Sequence, residues 1–369
     1  MEANLKDKKH LDGLVLNWGD KFGRCNENED SIIERKVLEA LQPNENLKKL
    51  SVLRYDGTSF PSWFGGSHLL NLVSIVLTES KFCFILPPFG QLPSLKELSI
   101  SCFYGIEVIG PEFCGNDSSN IPFRSLEILK FEEMSAWKEW CSFQGHSGED
   151  QCLSYLKELC VKRCPLLRRT LPPHLPSLQK LVICECQHLE SSIPKATSIH
   201  EIKLGGCEKV LLNNLPTNLK KVTIQGTCII QSWLQQIIVN NVFLKVLKIH
   251  DFHGPSLKWF SLDLHKYDFL DTISVTRWYS SSFPFALHLF SNLHSLLFHD
   301  CPHLESFPKG GLPLSLRKLE IEECPKLIAS REEWGLFKLH SLKEFSVSGD
   351  FESEESFPED RLLPPSLTE

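Results

Sequence analysis

The chain contains no uninterrupted apolar run approaching the ~18 residues that a membrane-spanning helix needs, which argues against a helical membrane protein. It has no surplus of positive charge: 39 Lys and Arg face 46 Asp and Glu, a net charge of −7. A duplex nucleic-acid binder usually carries a basic field, so that class is a poor fit. No G-x-x-x-x-G-K-[ST], G-x-G-x-x-G or G-x-S-x-G pattern occurs. Their absence removes the most legible phosphate-cradling and nucleophile-bearing motifs. The first ten residues, Met1 to His10, are polar and lack the apolar segment of a secretory leader, so a cytoplasmic or nuclear location is expected. What remains is globular: 369 residues, 42% hydrophobic and 23% charged, are enough for a large core.

One pattern recurs along that length, L-x-x-L-x-L-x-x, often followed by Cys. Its copies begin at Leu11, Leu47, Leu72, Leu95, Leu126, Leu156, Leu178, Ile199, Leu219, Leu244, Leu270, Leu293, Leu316 and Leu342. A further start falls at Leu367. The mean spacing is about 25 residues, the period of a leucine-rich repeat with one coil per copy. Positions 1, 4 and 6 are apolar, as in Leu156, Leu159 and Val161 or Leu244, Leu247 and Ile249. Positions 4 and 6 share one face of a strand, and a single coil cannot bury that face, so the copies must stack.

The expected fold is therefore a leucine-rich-repeat solenoid of about 14 repeats over 1–369, a horseshoe with a parallel β-sheet on its concave face. Short strands are predicted at 49–53, 74–78, 97–101, 128–132, 158–162, 180–184, 201–205, 221–225, 246–250, 272–276, 295–299, 318–322 and 344–348. Proline precedes many strands (Pro93, Pro176, Pro216, Pro313, Pro364) and follows others (Pro61, Pro87, Pro172, Pro194, Pro308). Proline resists helix interiors, so the convex side is expected to be mostly loop and short turn, with few helices.

Fourteen cysteines could suggest a disulfide set, but a chain this long needs none to hold a core. Cys164, Cys186, Cys207, Cys301 and Cys324 all occupy position 9 of their copies, where a free thiol is a small buried filler.

The period breaks in three places. Residues 18–46 form an irregular insertion in which Asp30 or Ser31 is expected to cap a short helix with Ile32, Ile33, Val37, Leu38 and Leu41 as its apolar face, ending before Pro43. Segments 114–121 and 142–151 are polar and predicted as mobile loops. Residues 350–369 carry Asp350, Glu352, Glu354, Glu355, Glu359 and Asp360, read as an acidic, incomplete last repeat.

Chemistry-bearing clusters are sparse. His250-Asp251-Phe252-His253 and His299-Asp300-Cys301-Pro302-His303 hold metal-like residue types, but their members occupy different repeat positions, so no metal site is assigned. Cys184-Glu185-Cys186 places one thiol outward and one inward. Gly311-Leu312-Pro313-Leu314 precedes a strand and reads as coil linker. No catalytic or cofactor-binding residue is assigned, and enzyme activity is not expected.

Four stretches carry a more specific likeness: Glu2 to Leu11; Phe60-Pro61-Ser62-Trp63-Phe64-Gly65 with Leu86 to Leu95; Gly105 to Phe113; and Leu126 to Met134 with Trp137-Lys138-Glu139-Trp140. On these the chain resembles the leucine-rich-repeat region of plant intracellular disease-resistance proteins, the coiled-coil, nucleotide-binding, leucine-rich-repeat class. The resemblance implies a recognition module that binds a pathogen effector or a guarded host protein and restrains a nucleotide-binding domain. In the family that domain binds ADP or ATP. Neither it nor the coiled coil is legible here, so the chain is expected to be a fragment or truncated product, with no cofactor of its own.

Positions 3, 5, 7 and 8 are free of packing duty and can encode specificity. The candidate protein-binding residues at these positions are Glu158, Lys162, Arg163, Lys180, Glu185, Lys203, Lys221, Lys248, His250, Asp251, Arg277, His299, Asp300, Glu320, Glu322 and Glu323. With Glu344 they suggest a basic-to-acidic gradient. Trp137 and Trp140 are candidate aromatic anchors, more readily read as packing beneath 142–151, whereas Phe131 at position 6 is read as core. Trp63, Trp259, Trp278 and Trp334 share that ambiguity. A ubiquitin-ligase substrate adaptor is the alternative reading, and a non-signalling scaffold the third.

Overall fold

The computed structural model describes residues 3–19, 27–65, 68–115, 121–141, 152–213, 215–226, 233–234, 236–237, 243–253, 269–308, 310–349, 363–364 and 366–367. The chain divides into two compact units, one of Met1–Ile199 with Cys207–Asn214, the other of His200–Gly206 with Leu215–Glu369.

The first unit stacks the parallel strands β1 (Gly13–Asn17), β2 (Lys49–Leu53), β3 (Ser74–Thr78), β4 (Glu97–Ser101), β6 (Ile128–Glu132), β8 (Glu158–Lys162) and β9 (Lys180–Cys184) in that order. Two short strands, β5 (Val108–Ile109) and β7 (Glu139–Trp140), pair apart from that sheet. The second unit stacks β10 (Glu201–Gly205), β11 (Lys221–Gln225), β12 (Val246–Phe252), β13 (Thr272–Trp278), β14 (Ser295–His299), β15 (Lys318–Glu322) and β16 (Glu344–Ser348), again parallel and in chain order. Every predicted strand is present at its predicted residues. β12 and β13 run two residues longer, and β1 and the β5–β7 pair are additions.

Register aligns the repeat positions from strand to strand. Position 4 forms the row Leu50, Ile75, Leu98, Leu129, Leu159 and Leu181 in the first unit. In the second it forms Ile202, Val222, Leu247, Ile273, Leu296 and Leu319. All are at most 1% exposed, as are the position 6 residues Val52, Leu77, Ile100, Phe131, Val161 and Ile183. Each side chain is thus sandwiched between its counterparts one coil away. In β1 and β16, the end strands of the order, the inward residues are only half-buried.

Behind the strands, proline keeps the chain out of long helices, as expected. Short 3-10 turns stand at Ser62–Phe64, Phe89–Gln91 and Pro111–Phe113, and α2 (Pro325–Ala329) is a single turn or so. No helix among the described residues is long and apolar enough to cross a membrane. In the first unit the turns are held by aromatic side chains. Phe64 contacts Phe89 at 6.5 Å between ring centroids, Phe89 contacts Phe113 at 6.2 Å, and Phe113 contacts Phe131 at 6.0 Å. Trp137, fully buried, packs at a tilt against Phe131 with 4.9 Å between ring centroids, and Trp140 follows it inside at 8% exposed. Neither is an anchor; both are core. Trp63, Trp278 and Trp334 are also buried, while Trp259, 142–151 and 350–360 lie outside the described residues.

The position 9 cysteines are buried free thiols, but they do more than fill space. Cys164 donates to the Lys162 carbonyl at 3.2 Å, Cys186 to Cys184 at 3.3 Å, Cys301 to His299 at 3.3 Å and Cys324 to Glu322 at 3.1 Å. Each of these four thiols occupies the carbonyl at the end of its own strand, where the chain leaves the sheet, whereas Cys207 donates to the Ile183 carbonyl one coil back at 3.6 Å.

Two expectations need correction. Cys114 and Cys152 are joined in a disulfide with a Cα separation of 6.5 Å. Cys114 ends the Pro111–Phe113 turn and presses so closely on Gly90 that a Cβ there would lie 2.2 Å from the Cys114 carbonyl oxygen. Neither half occupies position 9, so the packing logic of the other cysteines did not cover them. The insertion helix α1 (Glu27–Ala40) starts earlier than predicted, and its apolar side is split. Leu38 and Glu34, one turn apart, face inward, with the Glu34 carboxylate accepting from the Trp18 indole N–H, while Ile32, Ile33 and Val37 are exposed.

Position 8 shows a feature the repeat pattern does not announce. Arg54, Glu79, Cys102, Glu133, Arg163, Glu185, Asp251, Arg277, Asp300 and Glu323 all have φ between 50° and 59°. Gly206, Gly226 and Gly349 hold the same place. The amide at this position still joins the ladder, as Arg163 N–H donating to Cys184 O at 2.9 Å and Glu323 N–H to Ser348 O at 3.0 Å show. The left-handed residue lets the chain keep that bond and turn away from the sheet at once. For an L-residue this conformation costs about 1–2 kcal/mol. Glu185→Gly is therefore expected to stabilise the chain by up to about 1 kcal/mol and Glu185→Val to destabilise it by about 1–3 kcal/mol in urea unfolding. Equal stability of the two variants would contradict the strain assignment.

Candidate interaction surface

Positions 3, 5 and 7 of each strand point away from the packed interior, so each unit presents a wall of variable side chains. All sixteen candidate residues lie there or at the left-handed position 8, but many are occupied with one another. In the first unit Lys180 meets Glu158 at 3.2 Å. Arg163 bridges Glu132 at 2.6 Å and Glu133 at 2.7 Å. Arg54 meets Glu79 at 3.1 Å in the same way. In the second unit Lys221 meets Glu201 at 3.0 Å, and Arg277 clasps both oxygens of Asp251. Lys318 lies 3.2 Å from Glu320 and 3.4 Å from Glu344. Glu132, Glu133, Glu201 and Lys318 were not singled out from sequence. The signal that finds them is opposite charge at the same or adjacent position one coil away, where register places side chains about 5 Å apart.

These pairs are half-exposed and worth little individually, roughly 0–1 kcal/mol. Their function is geometric: they hold long side chains across the wall. The Glu133 carboxyl is held below its usual range, first by a hydrogen bond from the Cys102 thiol and then by Arg163. Burial pushes Cys102 itself up to about 11, so it stays a thiol and a donor at neutral pH.

Cys160, Val182 and Cys184 form an apolar spot on the outward face of β8 and β9, exposed only 6%, 4% and 5%. The thiol of Cys184 does point outward, as read from sequence, yet it is buried among its neighbours, and Cys186 is buried inside. Lys130 and Lys162 lie beside Cys160. No ion pair holds Lys162 among the described residues.

For metals, the one set among the described residues with close donor atoms is His299, Glu320 and Glu322, within 4.8 Å of one another. It does not involve Cys301 or His303. His299 Nδ1 lies 3.0 Å from Glu322 and Nε2 3.7 Å from Glu320, and the Lys318 ammonium already neutralises Glu320. The arrangement is an ion-pair network with its cation supplied by lysine. His250 and His253 do not converge: His253 stacks on Tyr279 at 4.1 Å while His250 remains on the wall. An open groove of about 520 Å³ lies beside the strand entrances of the first unit, lined among others by Lys96, Arg124, Glu127, Tyr155 and Lys157. Its Glu127 is held by Lys157 at 3.0 Å.

Comparison with known proteins agrees with this architecture. Residues 1–103 match the family described as R13L1/DRL21 LRRs. The chain is 39% identical over 197 residues to disease resistance RPP13-like protein 1 of Arabidopsis thaliana, covering 51% of this chain and 18% of that protein. It is 31% identical over 227 residues to disease resistance protein RGA2 of Solanum bulbocastanum, 59% of this chain and 22% of that protein. The chain thus spans about a fifth of the length of these relatives. Among solved structures, an internalin (InlF) of Listeria monocytogenes aligns with a TM-score of 0.45 and 15% identity, covering 93% of this chain and 84% of that one.

Charge, not packing, is what Arg163 contributes. Arg163→Met is expected to cost less than about 1 kcal/mol at pH 7 and low salt. A carboxylate whose folded value is depressed stabilises the fold above its unfolded value of 4.5 and loses that contribution as pH falls through the folded value. Urea unfolding should therefore show the deficit shrinking in high salt and falling away as pH drops below 4.5 and through the depressed folded value. A deficit unchanged by both would assign Arg163 a packing role.

Proposed function

We propose that this chain, whose repeats are similar to those of plant disease resistance proteins, is the recognition module of an intracellular immune receptor. It binds a pathogen effector or a guarded host protein on the outward faces of its sheets. In the longer receptor it also restrains the nucleotide-binding domain, which is where ADP or ATP would act. It works in the cytoplasm or nucleus and catalyses no reaction. The observation that carries this reading is the division of labour within each strand. Inward positions are buried and uniformly aliphatic or aromatic, while outward ones vary, and most of them are polar and partly exposed. A wall of that kind can change its partner without losing its fold.

The test is a binding screen of the full chain against pathogen-secreted proteins and their host targets, with two variants carried through. Lys162→Glu with Lys203→Glu alters the wall, and Lys209→Glu alters the turns behind it. The wall variant should unfold within about 0.5 kcal/mol of the wild type and lose its partner, whereas Lys209→Glu should keep it. Partner binding that survives the wall variant and is lost in Lys209→Glu would place recognition elsewhere.

A further inference from the structure

Positions 5 and 7 of β10 to β12 and the adjoining β13 form a block without carboxylates. Register aligns Lys203, Thr223, Lys248 and Ser274 side by side at position 5, and Gly205, Gln225, His250 and Thr276 at position 7. Every polar side chain in this block offers a hydrogen-bond donor, and none is a carboxylate. At position 3 of the same strands Lys221 is matched by Glu201, and farther along the unit Lys318 is matched by Glu320 and Glu344. Lys203 and Lys248 are half-buried, yet no carboxylate among the described residues lies within 4 Å of either ammonium. The nearby Asp251 is held by both guanidinium nitrogens of Arg277. Between the two lysines Thr223 is only 6% exposed, although it points outward, as expected if the aliphatic stems of its neighbours cover it. Two ammonium groups on one face without counter-charge repel each other, and an anionic ligand relieves that repulsion.

The spacing narrows the ligand. Lys203 and Lys248 sit two strands apart, about 9.6 Å at the usual inter-strand distance. An extended polyproline-II segment returns to the same side every third residue, a rise of about 9.3 Å. We propose that the face of β10 to β12 is a subsite for an acidic, extended peptide segment whose carboxylates stand three residues apart, one on Lys203 and one on Lys248. This deepens the recognition reading and rests on it, by naming the chemistry of the partner at one place on the wall. The peptide lies across the strands over Thr223, and His250 faces it from the next row.

His250 gives an independent readout. Burial, and then the charge of Lys203, holds its imidazole below the usual value, with Lys248 and Arg277 acting the same way and Asp251 opposing. Gln225, its neighbour on β11, is uncharged. A raised acid concentration therefore adds a third cation to the block, and an anion bound there favours that protonation. Peptide affinity should rise as pH falls from about 7.5 to 5.5.

The experiment is calorimetric titration of the full chain with a peptide of four Pro-Ala-Asp triplets, its Asn counterpart, and a twelve-nucleotide single-stranded RNA. The Asp peptide should bind and the Asn peptide should not. Lys203→Gln and Lys248→Gln should each weaken the Asp peptide at least fivefold, while Lys326→Gln, on α2 behind the strands, leaves it unchanged. His250→Gln should bind at pH 7.5 and lose the gain at pH 5.5. The proposal is overturned if the Asp peptide does not bind, if binding ignores both lysine substitutions, or if the RNA binds more tightly through the same lysines. Any of these removes the subsite alone. The recognition reading is decided separately, by the protein-partner screen with the wall and turn variants.

Discussion

Stacking of the inward aliphatic side chains between neighbouring coils is the interaction on which everything else depends. A coil of about 25 residues has one apolar edge and no interior of its own. Leu159 is fully buried because Leu129 and Leu181 flank it in register, and Leu247 because Val222 and Ile273 do. The same register that buries these residues fixes the outward ones. It sets which charges become neighbours, so the ion pairs across the wall and the unmatched lysines of β10 and β12 both follow from the core.

The left-handed residue after each strand is the second constraint. It is where the chain leaves the sheet while its amide stays bonded to the next strand. In most copies it carries a charged side chain in place of glycine, so backbone strain and surface charge coincide at position 8. Arg54 with Glu79, Glu133 with Arg163 and Asp251 with Arg277 make those residues partners from one coil to the next. At Arg163 the adjacent Cys164 thiol closes the same turn from inside, so that strained turn is secured by a hydrogen-bonded cysteine below and an ion pair above.

Much of this was legible in the sequence because the repeat is a phase. Once Leu156, Leu159 and Val161 are aligned with Leu178, Leu181 and Ile183, strand boundaries, inward rows and the place of Phe131 follow without further information. What was not legible depends on proximity that the phase does not encode. The Cys114–Cys152 disulfide links two residues outside the repeat register. Glu34 turns inward on α1 because the Trp18 indole, sixteen residues earlier, offers a buried donor. The left-handed conformation of Glu185 or Asp300 leaves no mark in composition, since acidic residues are common in turns for other reasons. At the candidate surface, residue identities were readable, whereas their pairing required knowing which coil lies beside which. Lys203 and Lys221 look alike in sequence and differ in that only Lys221 has Glu201 within reach.

The central claim is that adjacent residues of one strand serve separate ends, one the scaffold and the next the partner. Its most direct test compares Leu247→Ala with Lys248→Ala by denaturant unfolding of the full chain. The account predicts a loss of about 2–5 kcal/mol for Leu247→Ala and a change within about 0.5 kcal/mol for Lys248→Ala. Comparable losses for the two would show that the wall and the core are not separate.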